Sequence, residues 1–269
     1  MTPPLFLAFH RRSFFHPWDV VPMVPAALLD RLNAALRENS PASYPVEARP
    51  NIASYLDHTY LKPEGGAVQI EKLCAEAREY GFASVCIQPR YVGFCKELLA
   101  GSGVKVCTVI GFPLGANSPI TKAFESGQAV FDGADEVDMV LSVGELKAGK
   151  YLNVFEDIRG VVQAADGRLV KVILETSYLN DEEKMAGCLI SQRAGAHYVK
   201  TSTGFSSAGA TVADIRLMRA TVGPLMGVKA SGGIRDTATA QAMIEAGATR
   251  LGVSAGVEIV KGLQGKEQY

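Results

Sequence analysis

Two stretches decide the fold of this 269-residue chain: YVKTSTG at residues 198–204 and GVKASGG at residues 227–233. Each contains apolar residues typical of a buried strand and closes with the glycine and hydroxyl residues of a turn. Each also carries a lysine, Lys200 or Lys229, next to valine. Because lysine is seldom buried without a partner or a role, the two stretches predict neighbouring strands that end in a functional site.

Similar apolar runs recur along the chain after residue 50. Eight runs alternate with helical patterns, which is typical of a parallel α/β protein. The runs are residues 53–59, 83–89, 105–113, 136–141, 170–176, 198–203, 227–232 and 249–254. Helical patterns lie between them, for example at residues 70–80 and 120–132. Before the second of these, Ser118 is placed to cap the helix and Pro119 to open it.

Eight strand–helix repeats predict an α/β fold, a (β/α)8 TIM barrel, over residues 51–269. A doubly wound open sheet is the alternative. However, no GxGxxG motif follows the first run, and polar residues concentrate at the carboxyl ends of many runs, where a barrel places its active site. The barrel is therefore the favoured prediction.

Residues 1–50 are interpreted as a short N-terminal extension outside the barrel, partly helical or disordered. Residues 24–39 have an amphipathic helical pattern, and a proline-rich connection follows it. In the first 23 residues the charges follow the apolar run, which is the reverse of a secretory signal. No segment reaches the roughly 20 apolar residues that a membrane span needs. We therefore expect a cytoplasmic protein.

Composition and charge exclude several classes of function. The formal net charge is -1 with both signs interspersed, so neither nucleic acid nor a membrane surface is an expected partner. The five cysteines contain no CxxC pair, and the four histidines have no metal-binding spacing. We therefore predict no metal site and expect free thiols.

The two lysines indicate a possible chemistry. On adjacent strands the alternation of side chains places Lys200 and Lys229 on equivalent faces, so two ammonium groups share one barrel mouth. Burial and a close like charge lower the pKa of a lysine, and the neutral amine can attack a carbonyl to form a Schiff base. The alternative is that one or both lysines extend into solvent at the strand ends.

A carboxylate that could relay protons is Asp138, which lies among the apolar residues of the fourth run. A purely structural ion pair is its alternative role. Asp135 and Glu136 come earlier in the chain and are expected to be solvated or capping groups. Lys171 is expected to support nearby carboxylates such as Glu175.

Two further polar residues lie on the early runs. His58 is expected either to be a hydrogen-bonded residue at the end of the first run or to transfer protons. Cys86 is expected to be a small core residue, because no partner for a nucleophilic thiol lies in a matching motif.

The last three runs end in glycine and hydroxyl residues, at 202–204, 231–233 and 252–254. Backbone N–H groups and hydroxyls at such ends can surround an anion beside a helix N-terminus. Each triplet alone is weak, because glycine and serine are ordinary turn residues. Together, after the last three strands of a barrel, they predict a phosphate site.

Taken in order, the runs resemble the deoxyribose-phosphate aldolase family from about residue 51 to the end of the chain. The motifs that carry the resemblance are LDHT (56–59), VCI (85–87), VIGFPLG (109–115), DEVD (135–138), KVILET (171–176), VKTSTG (199–204) and VKASGG (228–233). The resemblance implies reversible cleavage of 2-deoxy-D-ribose 5-phosphate to D-glyceraldehyde 3-phosphate and acetaldehyde, with no metal or organic cofactor. The alternatives are another phosphate-binding Schiff-base aldolase and a non-catalytic barrel that binds sugar phosphates.

The resemblance also implies roles for individual residues. Lys200 would form the Schiff base, Lys229 would lower the pKa of Lys200, and Asp138 would work with Lys229 and a water to move protons. The residues implied in binding substrate and its phosphate are Thr203, Gly204, Gly232, Gly233 and Ser254.

Three further expectations follow from the resemblance. Phe205 stands where some members carry a basic residue, so one phosphate contact is expected to be absent or supplied elsewhere. The C-terminal Tyr269 is expected either to assist proton transfer or to be a frayed tail. The expected partners are phosphorylated sugars and aldehydes, together with further copies of the chain in a dimer or tetramer.

Overall fold

The computed structural model describes residues 51–265, and in it eight parallel strands close into a barrel in their order along the chain. The predicted (β/α)8 TIM barrel is confirmed. The strands are β1 (Leu56–Tyr60), β2 (Ser84–Ile87), β3 (Lys105–Ile110), β4 (Glu136–Val140), β5 (Leu169–Ile173), β6 (Tyr198–Lys200), β7 (Gly227–Ser231) and β8 (Arg250–Val253).

Helices follow the strands and cover the outside of the barrel. They are α1 (Ala67–Tyr80), α2 (Val92–Leu98), α3 (Pro119–Phe131), α4 (Val143–Lys147), α5 (Tyr151–Ala164), α6 (Asp181–Arg193), α7 (Val212–Val222), α8 (Thr237–Glu245) and α9 (Gly256–Val260). Short 3-10 turns lie at Ile52–Tyr55, Pro89–Tyr91 and Thr176–Tyr178. None of the helices described is long and apolar enough to cross a membrane.

Alternation along the strands separates two kinds of packing. Most outward side chains are apolar, and they pack with the helices in one large core that includes Val137, Val172, Val199 and Val228. Inward side chains are of a different kind, because many are charged. Strands of a parallel barrel are covered on both faces, so the inward charges are also removed from water.

Several helices begin where the side chain before them caps the backbone. Asn180 and Glu183 form a reciprocal capping box at the start of α6, and Asp236 accepts from the N–H of Thr239 at the start of α8. Ser118 precedes α3 as predicted, but its side chain does not cap the backbone. Its hydroxyl lies 2.8 Å from the Thr121 hydroxyl instead.

The predicted strand ends are partly wrong. Residues 53–55 belong to a 3-10 turn rather than to β1, because Asn51 accepts a hydrogen bond from the Ser54 N–H and closes the turn. The fifth run leaves the sheet after Ile173, since Glu175 adopts a left-handed backbone with φ of 58°. The N-terminal extension predicted for residues 1–50 and the tail residue Tyr269 lie outside the described residues.

A buried ion pair joins α3 to α5. The Lys122 Nζ lies 2.6 Å from Asp157 Oδ2 and 2.9 Å from the Val140 carbonyl oxygen, and the lysine is fully buried. Burial lowers the pKa of Lys122 and raises the pKa of Asp157, while the pairing opposes both changes. The two charges therefore depend on each other.

Replacing Lys122 with methionine should destabilise the protein by about 3–5 kcal/mol, because Asp157 would keep a buried charge without a partner. The control is Lys72→Met, since Lys72 is 76% exposed in its pair with Glu76. That change should cost less than about 1 kcal/mol. Urea unfolding of the two variants and the original chain measures the free energy of unfolding of each. The values are comparable if the m-values are equal. Equal losses in the two variants would contradict the importance of burial for this pair.

Candidate active site

Seven charged side chains meet inside the barrel, and we refer to them as the charge cluster. They come from six strands and are linked by ion pairs. The members are Asp57 (β1), Glu136 and Asp138 (β4), Lys171 (β5), Lys200 (β6), Lys229 (β7) and Arg250 (β8).

Asp138 lies at the centre of the charge cluster. Its Oδ2 atom accepts hydrogen bonds from Lys200 Nζ at 2.8 Å and from Lys229 Nζ at 2.7 Å. Its Oδ1 atom accepts one from Lys171 Nζ at 2.8 Å. Burial alone would raise the pKa of Asp138, but the three lysines hold it well below its ordinary value. Asp138 is therefore a fixed carboxylate that touches both predicted lysines.

Lys200 and Lys229 reach the same carboxylate oxygen from neighbouring strands. They are direct partners in the ladder between β6 and β7, and their exposed fractions are 3% and 0%. The alternative in which they extend into solvent is therefore wrong. Burial would lower the pKa of Lys229, but Asp138 and Asp57 raise it above its ordinary value. Asp138 and Asp57 thus favour the charged form of Lys229 beside Lys200.

One expectation about the surrounding charges is wrong, and another is right except for the partner that it named. Glu136 was expected to be solvated or capping, yet it is 4% exposed and contacts Lys171 at 2.6 Å and Arg250 at 2.7 Å. Lys171 contacts Glu136 and Asp138, and Glu175 is not among its ion-pair partners. Both differences follow from the register of the strands, because Glu136 and Lys171 both point into the closed barrel. Asp135 does cap, since it accepts from the Val106 N–H at 2.9 Å.

The balance of charge in the cluster distinguishes Lys200 from the other cations. Three carboxylates face four cationic side chains, so one positive charge is in excess when all are ionised. Lys171, Lys229 and Arg250 each contact at least two carboxylates, whereas Lys200 contacts Asp138 alone. Lys200 is therefore the cation of the cluster that the ion pairs hold by the fewest contacts.

A pocket of about 210 Å³ lies at the carboxyl ends of β6, β7 and β8. Four residues predicted to bind phosphate line it together: Gly204, Gly232, Gly233 and Ser254. The rest of its wall is formed by residues 206–209, Ile234 and Arg235. The structure therefore brings the three glycine-bearing strand ends into one pocket.

Three glycines shape the wall of this pocket. A Cβ atom on Gly209 would lie 2.2 Å from the Gly232 carbonyl oxygen. The loop after β6 can therefore approach the end of β7 this closely only if residue 209 is glycine. Gly232 and Gly233 have φ of 84° and 80°, in the left-handed region. A Cβ on Gly233 would meet no atom within 4 Å, because its backbone faces open space. Such exposed backbone can approach an anion closely.

Arg235 is a candidate binding residue that the sequence analysis missed. It lines the pocket and follows the SGG motif by two positions, a signal that was available in the chain. Phe205 is 43% exposed and packs edge-on against Phe112, with ring centroids 5.2 Å apart. The cation that is absent at Phe205 can therefore be replaced by the guanidinium of Arg235.

Thr203 hydrogen-bonds to Glu175, whereas its neighbour Gly204 lines the pocket. Glu175 Oε2 accepts from the Thr203 N–H at 3.2 Å and also from its hydroxyl, and Oε1 accepts from the Ser206 hydroxyl at 2.8 Å. Glu175 thus ties the end of β5 to the loop that forms the pocket wall. Thr203 is not among the residues lining the pocket, and its role in binding substrate stays a prediction.

His58 and Cys86 lie on opposite sides of the strands. The His58 Nε2 lies 2.7 Å from Glu76 Oε2, and its ring packs against Phe82 outside the barrel, which favours the hydrogen-bonding role over proton transfer. Cys86 is fully buried in the interior beside Cys107. All five cysteines are free thiols, as predicted.

Comparison with known proteins agrees with this geometry. The model of the DeoC/LacD family aldolases matches residues 51–262. Deoxyribose-phosphate aldolase 1 of Bacillus licheniformis is 64% identical over 219 residues, covering 81% of this chain and 98% of the relative. A deoxyribose-phosphate aldolase of Streptococcus suis is 60% identical over 215 residues, covering 80% and 98%.

A solved structure shares the architecture as well. The tetrameric deoxyribose phosphate aldolase from Aeropyrum pernix is similar with a TM-score of 0.74 at 33% identity, covering 87% of this chain and 96% of that one.

The pocket should bind inorganic phosphate, and Arg235 should supply much of the affinity. Replacing Arg235 with glutamine removes a charge-assisted hydrogen bond worth roughly 1.5–3 kcal/mol, so phosphate should raise the melting temperature of R235Q much less than that of the original chain. The matched control is Arg216→Gln, because Arg216 is exposed on α7 and does not line the pocket. Equal phosphate-induced shifts in both variants would exclude Arg235 as a ligand.

Proposed function

The chain belongs to the DeoC/LacD family of aldolases and is a carbon–carbon lyase, and we propose how its residues carry out the reaction. The reaction is reversible cleavage of 2-deoxy-D-ribose 5-phosphate to D-glyceraldehyde 3-phosphate and acetaldehyde through a Schiff base on Lys200. The observation that supports this assignment most strongly is the contact of Lys200 and Lys229 with one carboxylate oxygen of Asp138.

The first step needs an uncharged amine at Lys200. The uncharged Nζ attacks the aldehyde carbon of the open-chain sugar. The nitrogen then gives up one proton and the carbonyl oxygen takes one up, which gives a neutral carbinolamine. A second proton on that oxygen lets it leave as water, and the iminium remains. Asp138 and Lys229 are placed to move these protons, because Asp138 Oδ2 lies 2.8 Å from Lys200 Nζ and 2.7 Å from Lys229 Nζ.

The second step breaks the carbon–carbon bond. The C3 hydroxyl loses its proton, the electrons of the C2–C3 bond move into the iminium, and D-glyceraldehyde 3-phosphate leaves. The enamine that remains takes up a proton at C2, and water releases acetaldehyde from the resulting iminium. The charged form of Lys229, which Asp138 and Asp57 favour by raising its pKa, stabilises the negative charge that develops during cleavage. These steps use no metal or organic cofactor.

The phosphate of the substrate fits the pocket beside Lys200. Gly204 follows Lys200 by four residues, and Gly232 and Gly233 follow Lys229 by three and four. The pocket offers backbone N–H groups and the Arg235 side chain, which together suit a dianionic phosphate. An intact lysine pair and a carboxylate speak against the non-catalytic barrel.

We propose in addition that the chain forms a homo-oligomer. The relative from Aeropyrum pernix is a tetramer. On this chain, α3 exposes Ile120, Phe124 and Phe131 by 81%, 73% and 86%. Exposed apolar residues along one helix are a common feature of subunit contacts.

Reduction with borohydride in the presence of acetaldehyde should fix an ethyl group on Lys200, because the iminium is converted to a stable secondary amine. Peptide mapping by mass spectrometry locates the added mass. Lys200→Met should lose the adduct, while the matched control Lys105→Met, at an exposed lysine of β3, should keep it. Added mass at another lysine in the original chain would reassign the nucleophile.

Asp138→Asn keeps the shape of the side chain but removes the charge that holds both lysines. We expect kcat to fall roughly 10²–10⁴-fold, the usual contribution of a proton-transfer group. The phosphate-induced rise in melting temperature should persist, because the anion pocket does not include Asp138. A kcat close to that of the original chain would remove Asp138 from the mechanism.

A further inference from the structure

Glu175 is a buried carboxylate just beyond the carboxyl end of β5, and the reaction described above does not use it. The residue is 3% exposed. Every hydrogen-bond donor found for its side chain within residues 51–265 is uncharged, namely the Thr203 N–H, the Thr203 hydroxyl and the Ser206 hydroxyl. A buried carboxylate that neutral groups alone stabilise is costly, and Ser206 places this one beside the anion pocket.

The backbone of Glu175 is strained as well. Its φ of 58° lies in the left-handed region, which a residue with a side chain adopts only at a cost. Within residues 51–265 one other non-glycine residue, Asp166, has a positive φ, of 45°. Asp166 is exposed in the turn between α5 and β5, at the other end of the barrel. Glycine at position 175 would avoid the strain but would supply no carboxylate, which favours a role for the carboxylate itself.

The carboxylate fixes one side of the loop that carries much of the pocket wall, residues 204–209, which we call the wall loop. Glu175 Oε2 accepts from the Thr203 N–H at 3.2 Å, and Oε1 accepts from the Ser206 hydroxyl at 2.8 Å. The far side of the wall loop is fixed to β7, because the Ala210 N–H donates to the carbonyl oxygen of the last β7 residue at 3.1 Å. The wall loop is therefore held between β5 and β7.

The backbone on both sides of Glu175 holds the chain that carries Lys200. The Leu174 N–H donates to the carbonyl oxygen of Lys200 at 2.9 Å. The Thr176 N–H donates to the carbonyl oxygen of Thr201 at 3.0 Å. Glu175 thus lies between two hydrogen bonds to the end of β6, while its side chain holds the wall loop. One residue therefore fixes the distance between the reacting amine and the anion pocket.

We propose that Glu175 is a positioning residue that sets the wall loop relative to Lys200 and thereby makes fast turnover depend on the phosphate of the substrate. This inference rests on the proposed function. A substrate held by its phosphate presents its aldehyde carbon to Lys200 Nζ only if the pocket and the amine have the correct separation. A misplacement of about 1 Å can cost roughly a hundredfold in rate. A sugar without phosphate is not held by the wall loop and gains nothing from this link.

Glu175→Gly removes the carboxylate and leaves a residue that adopts the left-handed backbone freely. At saturating 2-deoxy-D-ribose 5-phosphate, kcat should fall roughly tenfold to a hundredfold, because the phosphate no longer places the aldehyde correctly. With 2-deoxy-D-ribose, kcat/KM should change less than about threefold. Asp166→Gly is the matched control, since it relieves the same kind of strain far from the wall loop. This variant should keep the rates of the original chain with both sugars.

Thr203→Val and Thr203→Ser keep the test decisive if Glu175→Gly does not fold. Valine removes the hydroxyl that donates to Glu175, and serine keeps it. Thr203→Val should lower kcat with the phosphorylated sugar at least about threefold and leave 2-deoxy-D-ribose cleavage nearly unchanged, whereas Thr203→Ser should match the original chain with both.

Equal losses with the two sugars, or a raised KM for the phosphorylated sugar at unchanged kcat, would overturn the positioning role. A lowered KM at unchanged kcat would overturn it too, because the carboxylate would then act only by repelling the phosphate. Cleavage of neither sugar by the original chain would reject the proposed function, and the inference with it. Normal cleavage by the original chain, with the same ratio of the two rates in all variants, would overturn the inference alone.

Discussion

Burial of unequal numbers of opposite charges inside a closed barrel is the constraint on which this structure depends. Each charge that leaves water costs several kcal/mol unless a partner lies beside it. Asp138 meets that need for three lysines at once, and Asp57 and Glu136 hold the remaining cationic contacts. Four cations face three carboxylates, and Lys200 is the one cation of the cluster with a single carboxylate contact. The side chain that is proposed to react is therefore the one that the ion pairs of the interior hold least.

The barrel separates this reactive part from the part that recognises an anion. The charge cluster lies among the strands, where backbone geometry fixes every side chain. The anion pocket lies on the loops after β6 to β8, and Glu175 ties that loop region to the end of β5 through Thr203 and Ser206. The left-handed backbone of Glu175 directs its carboxylate at the loop. The binding pocket lies on loops and the charge cluster on strands, and the two share β6, β7 and β8.

Sequence reasoning reached the parts that depend on local pattern. Alternation along two adjacent strands was enough to place Lys200 beside Lys229, and Asp138 followed from its apolar neighbours. Sequence reasoning failed where the position of a side chain depends on the stagger of the strands in the closed barrel. Glu136 and Arg250 are far apart in the chain and meet only because the barrel closes. The same holds for Cys86 and Cys107, whose pairing requires the register of β2 against β3. Arg235 was missed for a simpler reason: periodic patterns do not identify a residue after a glycine turn, and its place two positions after SGG was the one signal in the chain.

The wall opposite the cations shows why the cysteines matter. Leu61, Cys86, Cys107 and Val109 form an apolar cluster on β1 to β3, packed against Phe112. This wall excludes water from one side of the charge cluster and so strengthens every interaction of Asp138 on the other side. Thiols suit the position because they are small and weakly polar. The Cys107 sulfur also lies 3.2 Å from Asp138 Oδ1, so the apolar wall contacts the charge cluster directly.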